Sequence, residues 1–257
     1  INTQSTQLME SLASHGFIVA SPEHTGNTAF DQSDEMPELQ RVPDVSFVID
    51  TLLGRSATGG DVFEGRVDGS KVGVLGHSFG GMTAMGAVAG LRGTGPDPRV
   101  SAIGVIAGSV GGERFSDEAL ASVDEPTILL VGTLDPGALE NHRHAFARMP
   151  NAEALFKIEI EEANHTHFAN VCDLGNLLLE IGITQDAPPN LGAAAMIGPY
   201  EETCTDEVFP IAEAHRLQSL YMTAHFKRYL LGQRGYERYL SAEYAEENEA
   251  SVRFEAQ

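Results

Sequence analysis

Four residues that can do chemistry together stand far apart in this sequence: a serine at 78, an aspartate at 135 and histidines at 165 and 167. A serine hydroxyl is a weak nucleophile at neutral pH. It attacks a carbonyl only when a base takes its proton, and an imidazole serves as that base best when a carboxylate holds its second nitrogen. Ser78 lies in Gly76, His77, Ser78, Phe79, Gly80, a G-x-S-x-G pattern followed by Gly81. An apolar run with Val72, Val74 and Leu75 precedes it, and small and apolar residues from Met82 to Ala89 follow. That order reads as strand, tight turn and helix, with the serine on a strained elbow that lifts its hydroxyl above the sheet. Side chains at Gly76 or Gly80 are expected to collide where strand and helix pass closely. The backbone N–H of Phe79, at the start of the helix, is the candidate donor to an oxyanion.

Asp135 follows the apolar run ILLVG at 128–132 and precedes Pro136, which places it at a corner where a strand ends. Asp117, Asp124 and Glu125 come before that run and fall on the opposite rim. His165 and His167 both follow the alternating stretch at 154–160, the last clear strand. Two residues apart in an extended loop, they point opposite ways, and the residues alone leave either as the base. His77 belongs to the elbow but faces away from the serine, which suits a packing or supporting role. His24, His142, His144, His215 and His225 lie elsewhere and read as solvated or structural.

The elements that must position these groups alternate. Strands are expected at 17–20, 72–76, 100–107, 128–132 and 154–160, and helices at 5–15, 42–53, 82–89, 141–149 and 212–231. Strands alternating with helices predict an α/β fold, a mostly parallel sheet flanked by helices on both faces. Ligands sit beyond the carboxyl ends of such strands, and Ser78, Asp135 and His165 all follow strand ends. The longest irregular stretch, 184–199, is bracketed by Cys172 and Cys204, so 184–204 reads as a surface excursion. Residues 242–257 read as an acidic, solvated tail. At 257 residues, without repeats or a linker, one domain is expected.

The formal net charge is −21, and only three of the sixteen basic residues are lysines. Nucleic acid and anionic membrane surfaces are therefore poor partners, because phosphate binding needs clustered Lys and Arg. No apolar run approaches the roughly 18 residues of a transmembrane helix. Cys172 and Cys204 can form one disulfide, which fits a secreted or periplasmic protein. Neither cysteine has metal-ligand spacing, and no metal or organic cofactor is implied.

The segments GHSFGG at 76–81, GTLDP at 132–136 and ANHTHFANVC at 163–172 together resemble α/β-hydrolases near the dienelactone hydrolases, bacterial platelet-activating-factor acetylhydrolases and cutinase-like polyesterases. LASHGFIVASPEHTGNT, RVPDVSFVIDTLL and FKRYLLGQRGYERYL extend the likeness over residues 5 to 241. The resemblance implies a serine carboxylic-ester hydrolase with Ser78 as nucleophile, Asp135 as acid and His165 as base. The cutinase-like pattern His-Phe-Ala selects His167 instead. The implied substrates are short- to medium-chain esters, phospholipid acyl groups or polyesters, with no cofactor. A lactone hydrolase of the dienelactone type more often carries Cys at position 78, and a non-catalytic binding protein of the same fold is the alternative from another class. The family has two or three strands and a His-Gly loop before its first helix, and that loop normally supplies the second oxyanion donor. Here the sequence opens almost at that helix, so the fold is expected to lack its first strands. The second donor is then expected just before Ile1 or among Ile1, Asn2 and Thr3, with a separate N-terminal peptide completing the sheet.

Overall fold

The computed structural model describes residues 3–28, 31, 33–183, 194–204 and 208–257. Among the described residues five strands form one sheet: β1 (Val72–His77), β2 (Val100–Ile106), β3 (Thr127–Gly132), β4 (Leu155–Ile160) and β5 (Val252–Ala256), in spatial order β1-β2-β3-β4-β5. β1 to β4 are parallel, and β5 runs antiparallel to β4. The helices are α1 (Thr6–Ser14), α2 (Arg41–Ser56), α3 (Phe79–Ala89), α4 (Asp117–Ala121), α5 (Pro136–Arg148), α6 (Val171–Glu180), α7 (Ala194–Thr203), α8 (Ile211–Tyr229) and α9 (Ala242–Asn248).

The central strands are continuous runs of Val, Ile and Leu because both of their faces are covered. Every residue of β3 is buried. Alternate residues feed two cores. Ile128 and Leu130 join Leu217, Tyr221 and Met222 of α8 on one face, and Leu129 joins Met82 and Met85 of α3 on the other. α3 can lie this deep because its residues are small and apolar, and eight of its positions are buried.

β4 also carries Lys157 and Glu159, both almost fully buried. Glu159 accepts both hydrogen bonds of an Arg143 fork, at 2.8 and 2.7 Å, and Lys157 reaches Glu255 of β5 at 2.6 Å. Buried charges persist when paired in this way.

Several expectations are corrected. Residues 242–257 are not a solvated tail. Ser241 Oγ accepts from the Tyr244 N–H at 3.2 Å and caps α9, and β5 then closes the edge of the sheet beyond β4, which is therefore not the last strand. Val252 and Phe254 turn inward, while Arg253 pairs with Glu161 across the strands at 2.7 Å. Charge on alternate positions is a normal edge-strand device, and it makes the segment look polar in one dimension.

Residues 17–20 pair with no strand among the described residues, although Phe17 and Val19 pack on the core. A cavity of about 850 Å³ separates this segment from β1. Part of the expected surface excursion is helical, as α7, while 184–193 lies outside the described residues. Helix α6, directly after the His165 segment, carries an apolar run that the sequence reading left unassigned. Among the described residues no helix is long and apolar enough to cross a membrane.

Candidate active site

The elbow forms between β1 and α3. Ser78 has φ 57° and ψ −119°, in the left-handed half of backbone space that a side chain normally avoids. Its N–H donates to Ile106 O at 2.8 Å and its carbonyl accepts from Met82 N–H at 3.1 Å, so sheet and helix hold the strained residue from both sides. Gly76 makes the turn possible: a Cβ there would stand 2.3 Å from the Gly80 carbonyl carbon. The expectation for Gly80 is corrected, because a Cβ there meets nothing within 4 Å. Phe79 is the first residue of α3, so its N–H has no acceptor within the helix and remains available to an anion.

Asp135 ends the turn after β3 and caps α5. Its Oδ1 accepts from Ala138 N–H at 3.2 Å, with Pro136 in the first helical turn, where a missing N–H costs nothing. Its Oδ2 accepts from His165 Nδ1 at 2.5 Å. Burial works to raise the Asp135 pKa. The hydrogen bonds from His165 and from Ala138 N–H outweigh it and hold the carboxyl below its ordinary value.

His165 opens a 3-10 turn, His165–Phe168, rather than lying in an extended loop. Asn164 caps that turn: its Oδ1 accepts from Thr166 N–H at 3.0 Å, and its own N–H donates to His167 Nδ1 at 3.0 Å. With three residues per turn, positions two apart still diverge by about 120° around the axis. His165 Nε2 therefore accepts from Ser78 Oγ at 2.9 Å, while His167 turns inward. His167 is 1% exposed, and its Nε2 donates to Phe209 O at 2.8 Å. Burial holds its pKa below the usual imidazole value, so it stays neutral. The His165 side chain is 42% exposed and Asp135 is 14% exposed, so the imidazole is reachable from solvent and the carboxylate is sheltered.

Ser78, His165 and Asp135 thus form one hydrogen-bonded row, and His167 is outside it. Such a row makes the serine oxygen a nucleophile by giving its proton a place to go and the resulting imidazolium a partner. Of the positions considered for a second oxyanion donor, Ile1 and Asn2 lie outside the described residues. Thr3 is described, and its carbonyl accepts from Asn170 Nδ2 at 3.2 Å.

Cys172 and Cys204 are bonded, with Cα atoms 5.6 Å apart, linking α6 to the residue after α7. Thr203, beside Cys204, reaches Asn164 Oδ1 at 3.3 Å and also bonds the Thr166 hydroxyl, so the bridge stands directly behind the histidine turn. Asn164, Thr166 and Thr203 are supporting residues that the sequence reading did not single out. For Asn164 a signal existed, since Asn directly before a short helical turn is a preferred cap. Among the described residues no cluster of His, Cys, Asp or Glu is arranged to hold a metal ion.

No established protein family matches this sequence, and no curated protein matches it either.

Proposed function

We propose that this chain is a serine carboxylic-ester hydrolase with an α/β-hydrolase fold. The observation that carries the reading is the row from Ser78 Oγ through His165 to Asp135, at 2.9 and 2.5 Å, with the serine on a positive-φ elbow. In this reading Ser78 Oγ attacks the ester carbonyl carbon and its proton passes to His165 Nε2. The developing oxyanion accepts from Phe79 N–H, and Asp135 stabilises the imidazolium. Collapse breaks the acyl–oxygen bond, and the leaving alkoxide takes the proton from His165. A water, deprotonated by the same imidazole, then hydrolyses the acyl-serine to a carboxylic acid and restores the enzyme.

The cavity between β1 and residues 17–20 reaches Ser78, and aliphatic side chains, among them Leu8, Val45, Ile49 and Val74, line part of it. Apolar walls suit the acyl part of short- to medium-chain esters, phospholipids or polyesters. The disulfide supports a location outside a reducing cytoplasm, secreted or periplasmic.

The test is hydrolysis of p-nitrophenyl esters from acetate to palmitate by wild type, Ser78→Ala, His165→Ala and His167→Ala, together with fluorophosphonate labelling. Wild-type turnover lost in Ser78→Ala supports the reading. A wild-type protein that hydrolyses none of the series and takes up no label refutes it.

A further inference from the structure

Taking the hydrolase reading as its basis, we propose that His77 is a positioning residue for His165, held in one tautomer by Gln4. His77 ends β1, directly before Ser78, yet its ring turns away from the serine and lies against the back of His165, with ring centroids 4.8 Å apart. Its Nε2 is 2.8 Å from the carbonyl oxygen of His165, and its Nδ1 is 2.5 Å from Gln4 Nε2.

These two contacts determine where the proton sits. A carbonyl oxygen only accepts, so His77 Nε2 carries the hydrogen and donates. Nδ1 is then a lone pair and accepts from the Gln4 amide. Burial foremost, with the neighbouring His165 adding to it, pushes the His77 pKa down to about 3, so the ring stays neutral where His165 must cycle. The charge-bearing groups it faces are His165 and Asp135. A lysine or a charged imidazole here would repel the imidazolium that forms on His165. A neutral donor holds the same backbone without that penalty.

Gln4 is fixed in turn. Its carbonyl accepts at 2.8 Å from the N–H of Asn170, just beyond the His165–Phe168 turn. Gln4 therefore clasps the far end of the turn with its backbone and, through His77, the near end with its side chain. Ser78 and His77, the residue that holds the carbonyl of the base, are thus consecutive in the chain. That arrangement sets the distance between Ser78 Oγ and His165 Nε2 without relying on the loop alone. Misplacement of a reacting group by about 1 Å costs on the order of a hundredfold in rate.

The experiment compares His77→Phe, which keeps an aromatic ring and removes the donor, with His77→Gln, whose amide nitrogen reaches the same carbonyl. Gln4→Met, which removes the clasp at Nδ1, is measured beside them. Steady-state kinetics on p-nitrophenyl butyrate and thermal midpoints are recorded for each. The expected result for His77→Phe is a fall in kcat of about ten- to a hundredfold with KM changed less than about twofold. His77→Gln is expected to recover most of that loss, and Gln4→Met to lose about three- to tenfold in kcat. A His77→Phe protein with wild-type kcat overturns the proposal, as does a His77→Gln protein no better than His77→Phe at equal thermal midpoint. If His77→Phe does not fold, Gln4→Met decides: unchanged kcat overturns the proposal and a selective kcat loss supports it. Failure of the hydrolase reading looks different, because wild type itself is then inert and unlabelled by fluorophosphonate.

Discussion

Ser78 Oγ and His165 Nε2 lie 2.9 Å apart although 87 residues separate them in the chain. His167, two residues further on, spends both ring nitrogens on the Asn164 N–H and the Phe209 carbonyl. The two histidines should therefore fail in different ways. His165→Ala is expected to lower kcat/KM for p-nitrophenyl esters by about 10⁴- to 10⁶-fold with little change in thermal midpoint. His167→Ala leaves the half-buried Asn164 N–H and Phe209 carbonyl without their imidazole partner and is expected to cost about 1–3 kcal/mol of stability. Paired kinetics and thermal melts check this, and a reversal of the two phenotypes would refute the assignment of His165 as base.

Asp135 has two duties, and Asp135→Asn separates them. Asn still caps α5 at Ala138 N–H but, in the proposed mechanism, no longer balances the imidazolium on His165. The expected outcome is a fall in kcat of up to about 10⁴-fold with a nearly unchanged melt. A variant that loses helix stability and activity in step would show that the cap, not the charge, is what the residue supplies.

The glycines of the elbow give a sharp contrast. Gly76→Ala places a Cβ 2.3 Å from the Gly80 carbonyl carbon and 2.4 Å from its oxygen, a clash with backbone, and should yield protein that is unfolded or devoid of fluorophosphonate labelling. Gly80→Ala meets nothing within 4 Å and lies in the first turn of α3, where alanine is favoured over glycine by up to about 1 kcal/mol. Its thermal midpoint should equal or exceed that of wild type. A melt depressed by several degrees would contradict the open space described at Gly80.

Burial makes the protein sensitive to acid through His142. Its Nε2 accepts from Gly108 N–H at 3.0 Å, and burial pushes its pKa down to about 4. The unfolded chain takes up that proton near pH 6.5, while the folded chain does not until about pH 4. The neutral, folded form is thus fully favoured above the unfolded value, and stability drains away as pH falls from there toward the folded one. The slope is at most about 1.4 kcal/mol per pH unit for this group. Thermal midpoints between those two pH values should fall more steeply for wild type than for His142→Gln, whose amide oxygen can still accept from Gly108. Parallel slopes would remove His142 from the account.

The bond between Cys172 and Cys204 closes a loop of sequence separation 32. In the chain-entropy view such a closure is worth about 3.7 kcal/mol. Because Thr203 connects Cys204 to Asn164 and Thr166, loss of the bridge should loosen the His165–Phe168 turn as well as lower the melt. The double variant Cys172→Ser, Cys204→Ser is expected to melt lower and to show a reduced kcat at temperatures where it is fully folded. Unchanged kcat would confine the bridge to a stabilising role.

The features legible in the sequence are those written in short stretches. The elbow around Ser78 depends on glycine placement within five residues. The corner at Asp135 depends on a strand followed by Asp-Pro, and the buried strands β2, β3 and β4 depend on unbroken runs of β-branched and aliphatic residues. These are local steric and hydropathic facts, so chain order alone carries them. Tertiary structure decided what is settled by partners far away in sequence. The row through Ser78 fell to His165 rather than His167 because Asn164 winds the segment into a 3-10 turn and Phe209 draws His167 inward. The acidic end of the chain became a helix and an edge strand because Val252 and Phe254 found the core beside β4 while their charged neighbours paired across the edge. Residues 17–20 have the composition of a strand, but backbone pairing needs a neighbour at hydrogen-bonding distance, and among the described residues none lies there. A period of two or of 3.6 declares which face of an element is apolar; only the packed chain determines what that face meets.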